Sequence, residues 1–352
     1  MGSRLGRVAE GINWGIMSIV LVVCFNTVSP LLREATKGAR GKDFRMNPNS
    51  VMFLEEVLKY LITLGCVIFI EVGEGKWGRD AQGGPKGNRR GRWTGLQDVL
   101  RLFQINAESI QAYMPFGIPA FLYSIQGALL WACLRYMDPA SYQLMNSVKL
   151  FTTGTMQHVF LGQRLTTRKM QALVCLAFGI LLGQWTGSTA GNLWQLTPKA
   201  YALSLTCSLV SSTASIMLKY LYRERSSFNE GNMWMYGFGA FFRFFPLVKS
   251  VGGLAGLHTM LDGFDPVVLL MLLVSTGAHL FTAAVVRFHS PLTKSFCTAT
   301  AMPATALLSF ILFHQTRSIQ YIVSLPIVCF SIVRYATSAD GLPLDTPWKV
   351  LP

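Results

Sequence analysis

The stretch "NSVKLFTTGTM", residues 146–156, sets a lysine in an otherwise uncharged run. From Pro139 to Leu161, 23 residues, the single formal charge is Lys149. A helix needs roughly 20 apolar residues to cross a bilayer, so the run is long enough to span one. A charge at that depth is expensive and calls for a partner. Reading the segment as a membrane helix fixes the fold class and leaves one question: what Lys149 meets there.

The rest of the chain agrees with that reading. Of 352 residues, 51% are hydrophobic and 14% charged, with a mean hydropathy of +0.39; soluble domains carry about 25% charged residues. Ten apolar segments follow one another, at about 12–32, 51–71, 114–136, 139–161, 169–187, 198–222, 232–254, 266–287, 292–313 and 318–336. The first is too long for a signal-peptide core and no small-residue cleavage site follows it, so it is expected to stay in the mature chain. The expectation is an all-α integral membrane protein with ten transmembrane helices.

The net charge of +14 points to membrane orientation and away from nucleic acid. With ten spans, the terminus-side segments hold 18 Lys/Arg and the opposite loops 8; Lys59, Lys149, Lys199, Lys219 and Arg243 lie in or at helices. The positive-inside rule then puts both termini in the cytosol. The basic, glycine-rich segment 75–93, "GKWGRDAQGGPKGNRRGRW", is expected to be a flexible cytosolic loop. All seven cysteines lie in apolar segments and none forms a CxxC pair, which predicts packing residues, with no disulfide, metal site or cofactor.

"KLFTTGT" (149–155) recurs as "KSFCTAT" (294–300), and "RYMDP" (135–139) is echoed by "RFHSP" (287–291), in a different register. A repeat of this kind divides the chain into 12–187 (helices 1–5) and 198–336 (helices 6–10). A luminal connection, 188–197, joins them, and a cytosolic tail, 337–352, follows. Five helices is an odd number, so the second half enters the membrane from the opposite side. Such a 5+5 inverted repeat typifies secondary transporters, whose substrate site lies between the halves.

Lys149 belongs to a polar line at helical spacing, with Tyr142, Asn146 and Thr153. Tyr123 and Gln126 share a face of the third helix; Asn232, Tyr236, Gly239 and Arg243 repeat the spacing on the seventh. Ser204, Ser208, Ser211 and Ser215 form a stripe on the sixth that fits close helix packing. The deep acids are Glu55 and Glu56, with Lys59 in intrahelical reach of both as a structural ion pair. One acid then remains against Lys149 and Arg243, with Arg287 and Lys294 at helix ends. Arg243 is expected either to pair with the acid that Lys59 leaves free or to meet a ligand. A region so short of negative charge suits a phosphate-bearing ligand. His158, His258, His279, His289 and His314 are scattered without an adjacent acid, which argues against an enzyme.

The span from Tyr113 to Trp185 resembles the nucleotide-sugar transporters of the drug/metabolite transporter superfamily. The branch that carries CMP-sialic acid, UDP-galactose and UDP-N-acetylglucosamine is the most similar. The resemblance rests on "PAFLYSIQGALLWACLRYMDPASYQLMNSVKLFTTG", "RKMQALVCLAFGILLGQW", "EEVLKYLITLG", "GNMWMY" and "AVVRFHSPLTKSF". It implies Tyr123 and Gln126 near nucleobase and sugar, Tyr142, Asn232 and Tyr236 at nucleotide-contacting positions, and Lys149 and Arg287 on the phosphates. Gly127, Leu218, Gly231, Ser290 and Pro291 depart from the family pattern. The absence of "GALNK" favours a pyrimidine nucleotide.

The expected activity is antiport across the Golgi membrane, or alternatively that of the endoplasmic reticulum, of a pyrimidine nucleotide-sugar against its nucleoside monophosphate. Membrane lipid surrounds the protein, a homodimer is a candidate assembly, and no nucleic acid is involved. The alternatives are a scaffold that no longer transports and a carrier of another phosphorylated metabolite.

Overall fold

The computed structural model describes residues 2–38, 43–68, 111, 113–161, 167–185, 196–224, 228–289, 291–314 and 318–337. The loop 75–93, the 188–195 part of the connection and the tail from 338 onward lie outside the described residues. Eleven α-helices occupy the described residues: α1 (Gly2–Ala35), α2 (Pro48–Cys66), α3 (Gly117–Tyr136), α4 (Pro139–Asn146), α5 (Val148–Leu161), α6 (Thr167–Gln184), α7 (Pro198–Glu224), α8 (Phe228–Ser250), α9 (Pro266–Phe288), α10 (Pro291–Phe313) and α11 (Ile319–Thr337).

Local chemistry sets several boundaries. Asn47, Asp138 and Asp265 each place a side-chain oxygen on the open N–H groups of α2, α4 and α9, with a proline directly after the cap. Proline loses nothing at that position, where its missing N–H would have no helical partner, and the cap supplies about 1 kcal/mol. Asp265 divides its oxygens: Oδ1 accepts from Val268 N at 2.8 Å and Oδ2 from Arg45 Nη1 at 3.1 Å. Arg45 Nη2 also donates to Ala35 O at 2.6 Å, tying the α1–α2 loop to the start of α9.

Two of the differences from the expected spans have a side-chain cause. The segment 139–161 is two helices, broken at Ser147, whose hydroxyl donates back to Gln143 O at 3.1 Å and competes with the backbone ladder. The first helix runs on past residue 32 to Ala35 because Arg33 finds side-chain partners inside the protein.

Among the described residues, five helical segments are long and apolar enough to cross a membrane alone: Met17–Ala35, Met114–Tyr136, Pro198–Arg223, Pro266–Phe288 and Thr293–Phe313. A sixth is α8 counted with the 3-10 helix Leu254–Leu261, bent from it by 96°. The chain is a multi-pass, all-α membrane protein. Outward-facing Phe178, Leu273 and Phe310 are exposed, as suits a surface solvated by lipid.

Packing sets α1 against α9 and α10, and α7 against α3 and α5. α8 packs on α2 and α3, α9 on α2, α6 on α11, and α10 on both α4 and α5. The serine stripe of α7 is buried. The echoed stretches meet directly: Thr153 and Ser295 hydroxyls lie 3.0 Å apart, and Ser212 of α7 is 2.9 Å from Thr153.

Candidate functional site: a cationic cavity among the helices

Inward-facing side chains of α1–α5 and α7–α10 surround a cavity. Among the residues singled out from sequence, Tyr123, Gln126, Tyr142, Asn146, Lys149, Tyr236, Arg243 and Lys294 line it, together with Glu55, Glu56 and Lys59. Thr153, Asn232 and Arg287 are not in its wall. Thr153 is taken by Ser212 and Ser295, Asn232 Oδ1 accepts from the Tyr222 hydroxyl, and Arg287 donates to Tyr222 O.

Lys59 pairs with one of the two acids its spacing offered, but Arg243 does not take the other. Lys59 Nζ lies 2.8 Å from Glu56 Oε1, and Arg243 Nε lies 3.2 Å from the same oxygen. Arg243 therefore shares the carboxylate that Lys59 holds and does not take the one it leaves. Its Nη2 donates to Tyr123 O at 3.2 Å, which joins α8 to α3 as well as to α2. The carboxylate left over, Glu55, lies 3.6 Å from Arg33 Nη2 and 3.9 Å from His279 Nε2.

Two glycines admit this cluster. A Cβ on Gly127 would lie 2.8 Å from Arg243 Nη2, and one on Gly239 would lie 2.8 Å from Glu56 Oε2. Both approaches are closer than a side-chain carbon tolerates. The departure at Gly127 and the placement of Arg243 are thus one feature seen from two helices.

The two remaining lysines of the wall have no acid partner among the described residues. Lys294 donates to Ser215 Oγ at 2.7 Å and to the Tyr123 hydroxyl at 3.3 Å, and its ammonium lies 4.9 Å from the centre of the Tyr123 ring. Lys149 is buried against the cavity, and its ammonium has no hydrogen-bond or ion-pair partner among the described residues. The wall thus carries five cations, Arg33, Lys59, Lys149, Arg243 and Lys294, against two carboxylates. Lys149 and Lys294 come from different halves of the chain, on helices that pack together.

Arg33 escaped the sequence reading, which ends the first span at residue 32 and gives Arg33 to the loop. In the fold it donates to Ser29 Oγ at 2.7 Å and Ser275 Oγ at 3.0 Å, with its guanidinium 5.4 Å from the Trp131 ring centre. A signal was available: "TVSPLLR" (27–33) matches "TASIMLK" (213–219) at Thr, Ser and Leu, with Arg33 opposite Lys219. Lys219 lies toward the other end of α9, donating to Arg287 O at 2.8 Å and His289 O at 2.9 Å. His279, named above only among the scattered histidines, also lines the cavity.

A family model described as "Nucleotide-sugar transporter" matches residues 96–336. The chain belongs to that family. As a nucleotide-sugar transporter family member it is grouped with carriers and not with enzymes. It is 24% identical over 229 residues to "CMP-sialic acid transporter 4" of Arabidopsis thaliana, covering 64% of each chain. It is 22% identical over 219 residues to "CMP-sialic acid transporter 2" of Oryza sativa subsp. indica, covering 62% of this chain and 61% of the relative. These two matches span less than two thirds of the relatives' lengths. A match to "Probable UDP-sugar transporter protein SLC35A4" of Xenopus tropicalis is 22% identical over 330 residues, 92% of this chain and 91% of the relative. A solved crystal structure superposes with a TM-score of 0.54 at 13% identity, over 92% of this chain and 98% of its own, a likeness of fold alone.

Proposed function

We propose that this chain is a nucleotide-sugar antiporter of the Golgi membrane. By alternating access it would exchange a cytosolic pyrimidine nucleotide-sugar for a luminal nucleoside monophosphate. One observation carries the reading. Lys149 and Lys294 face one cavity with no acid partner of their own among the described residues, while Glu55 and Glu56 are occupied by Arg33, Lys59 and Arg243. A ligand with phosphate supplies what these lysines lack, because charge-assisted contacts to phosphate are strong where water is scarce.

The architecture that goes with it is ten spans in a 5+5 inverted repeat, with α4 and α5 forming one broken span. The packing supports this. If each span corresponds to the fifth after it, the contacts of α1 with α9 and α10 have their counterparts in those of α7 with α3 and α5. The pairs α2–α8, α6–α11 and α4/α5–α10 are then contacts between equivalent spans. The match of Arg33 to Lys219 belongs to the same symmetry.

Obligate exchange follows from charge. With the cavity empty, the surplus cations repel and oppose closure around the site; nucleotide-sugar and monophosphate each neutralise them. Counterflow in proteoliposomes tests the proposal. Vesicles loaded with UMP or CMP should drive uptake of the matching labelled nucleotide-sugar, and unloaded vesicles should not. Equal uptake with and without internal monophosphate rules out exchange.

A further inference from the structure

Arg33, Glu55 and His279 form a second polar cluster on the cavity wall, chemically unlike the lysine pair. Its formal charges cancel, so it holds no excess for a phosphate. It has unused hydrogen-bonding capacity instead. Arg33 and Glu55 are 6% and 2% exposed, and the 3.6 Å between Nη2 and Oε1 brings attraction without a hydrogen bond. Arg33 Nε and Glu55 Oε1 are both fully buried and have no hydrogen-bond partner among the described residues. His279 stands 3.9 Å from Glu55 Oε2 with its side chain 42% exposed, so its ring edge is reachable from the cavity. Buried polar atoms in native proteins are nearly always paired, so an orphan donor and an orphan acceptor together in a cavity wall point to a missing ligand. A hydroxyl group answers both, donating to a carboxylate while accepting from a guanidinium or imidazole N–H. Phosphate accepts only and leaves Glu55 facing a second anion.

We infer that Arg33, Glu55 and His279 form the glycosyl subsite, built for the neighbouring hydroxyls of an uncharged sugar, while Lys149 and Lys294 take the phosphates. This rests on the transport function proposed above and narrows it. The cargo is a nucleoside diphosphate joined to a neutral hexose, and a sugar bearing a carboxylate is disfavoured by Glu55.

The test is equilibrium binding to the purified full-length chain with three probes: UMP, UDP-glucose and UDP-glucuronate. The unmodified chain should bind UDP-glucose about tenfold more tightly than UDP-glucuronate. His279→Ala, at a side chain open to the cavity and therefore safe for folding, should weaken UDP-glucose about tenfold and UMP less than about twofold; Glu55→Gln should do the same. Parallel losses for UMP and UDP-glucose, no loss in either variant, or UDP-glucuronate binding as tightly as UDP-glucose would each overturn the subsite. A folded, unmodified chain that binds none of the three removes the nucleotide-sugar function itself, a result distinct from the other outcomes.

Discussion

Arg243 and Gly127 occupy one volume. A Cβ on Gly127 would stand 2.8 Å from Nη2 and 3.0 Å from Nη1 of Arg243. Overpacking of this kind costs about 1–3 kcal/mol. Gly127→Ala is therefore expected to lower the melting temperature of the purified protein. Adding Arg243→Ala should recover most of the loss, since Lys59 still neutralises Glu56. Unchanged stability in Gly127→Ala would show that the guanidinium relocates freely.

Glu56 is the acid on which two cations depend. Glu56→Gln leaves Lys59 and Arg243 buried beside a neutral amide, and breaking a buried pair on one side costs about 3–5 kcal/mol. The loss should appear as early unfolding in a thermal-shift series. Glu55→Gln should cost less, because Arg33 keeps both serine hydroxyls and the indole face. The reverse order would contradict the pairing described.

Lys149→Ala separates stability from affinity. No group among the described residues pairs with the ammonium, so removing it should leave the ligand-free melting temperature unchanged or higher, a buried unpaired charge having gone. Nucleotide binding should fall about tenfold or more with the loss of a charge-assisted contact, and counterflow should fail. A drop in ligand-free stability with normal affinity would make Lys149 structural.

For Arg287 the position of the side chain reverses the expectation drawn from family resemblance. It donates to Tyr222 O and lies 6.0 Å from the Tyr222 ring centre, outside the cavity wall. Both Arg287→Ala and Arg287→Lys should lower the melting temperature, the ammonium lacking the planar fork. Nucleotide affinity in each should stay within about twofold of the unmodified chain. A selective loss of affinity would return Arg287 to the phosphate site.

Orientation can be read from the loop 75–93. A cysteine introduced at Gly84 should react with a membrane-impermeant maleimide in sealed vesicles whose cytosolic face is outward, above the labelling of the unmodified chain. Labelling only after permeabilisation would invert the topology.

Much of this was legible in the sequence because membrane burial imposes simple patterns. Apolar runs gave most of the spans, and the Tyr142, Asn146 and Lys149 spacing placed three side chains in one cavity wall. Thr153 shares that spacing, yet α7 and α10 cross at its level and take its hydroxyl. Arg33 was hidden because hydropathy ends a span at its first charge, although a charged residue extends a helix when serines and an indole receive it. The choice of Glu56 by Arg243 was not written locally. Glu55 and Glu56 are both in reach of Lys59, and only the packing of α8 on α2, admitted by Gly127 and Gly239, decides between them.

The divided carboxylate of Asp265 bears on how the end of the bundle near Arg45 comes apart. Oδ2 holds Arg45 in an ion pair whose side chains are 48% and 31% exposed, and Oδ1 holds the first turn of α9. Separating the α1–α2 loop from α9 breaks the exposed pair, a loss of about 0–1 kcal/mol, and leaves the cap in place. The helix therefore keeps its full length through such a movement, and the work of opening falls on side-chain contacts, with no unwinding of backbone.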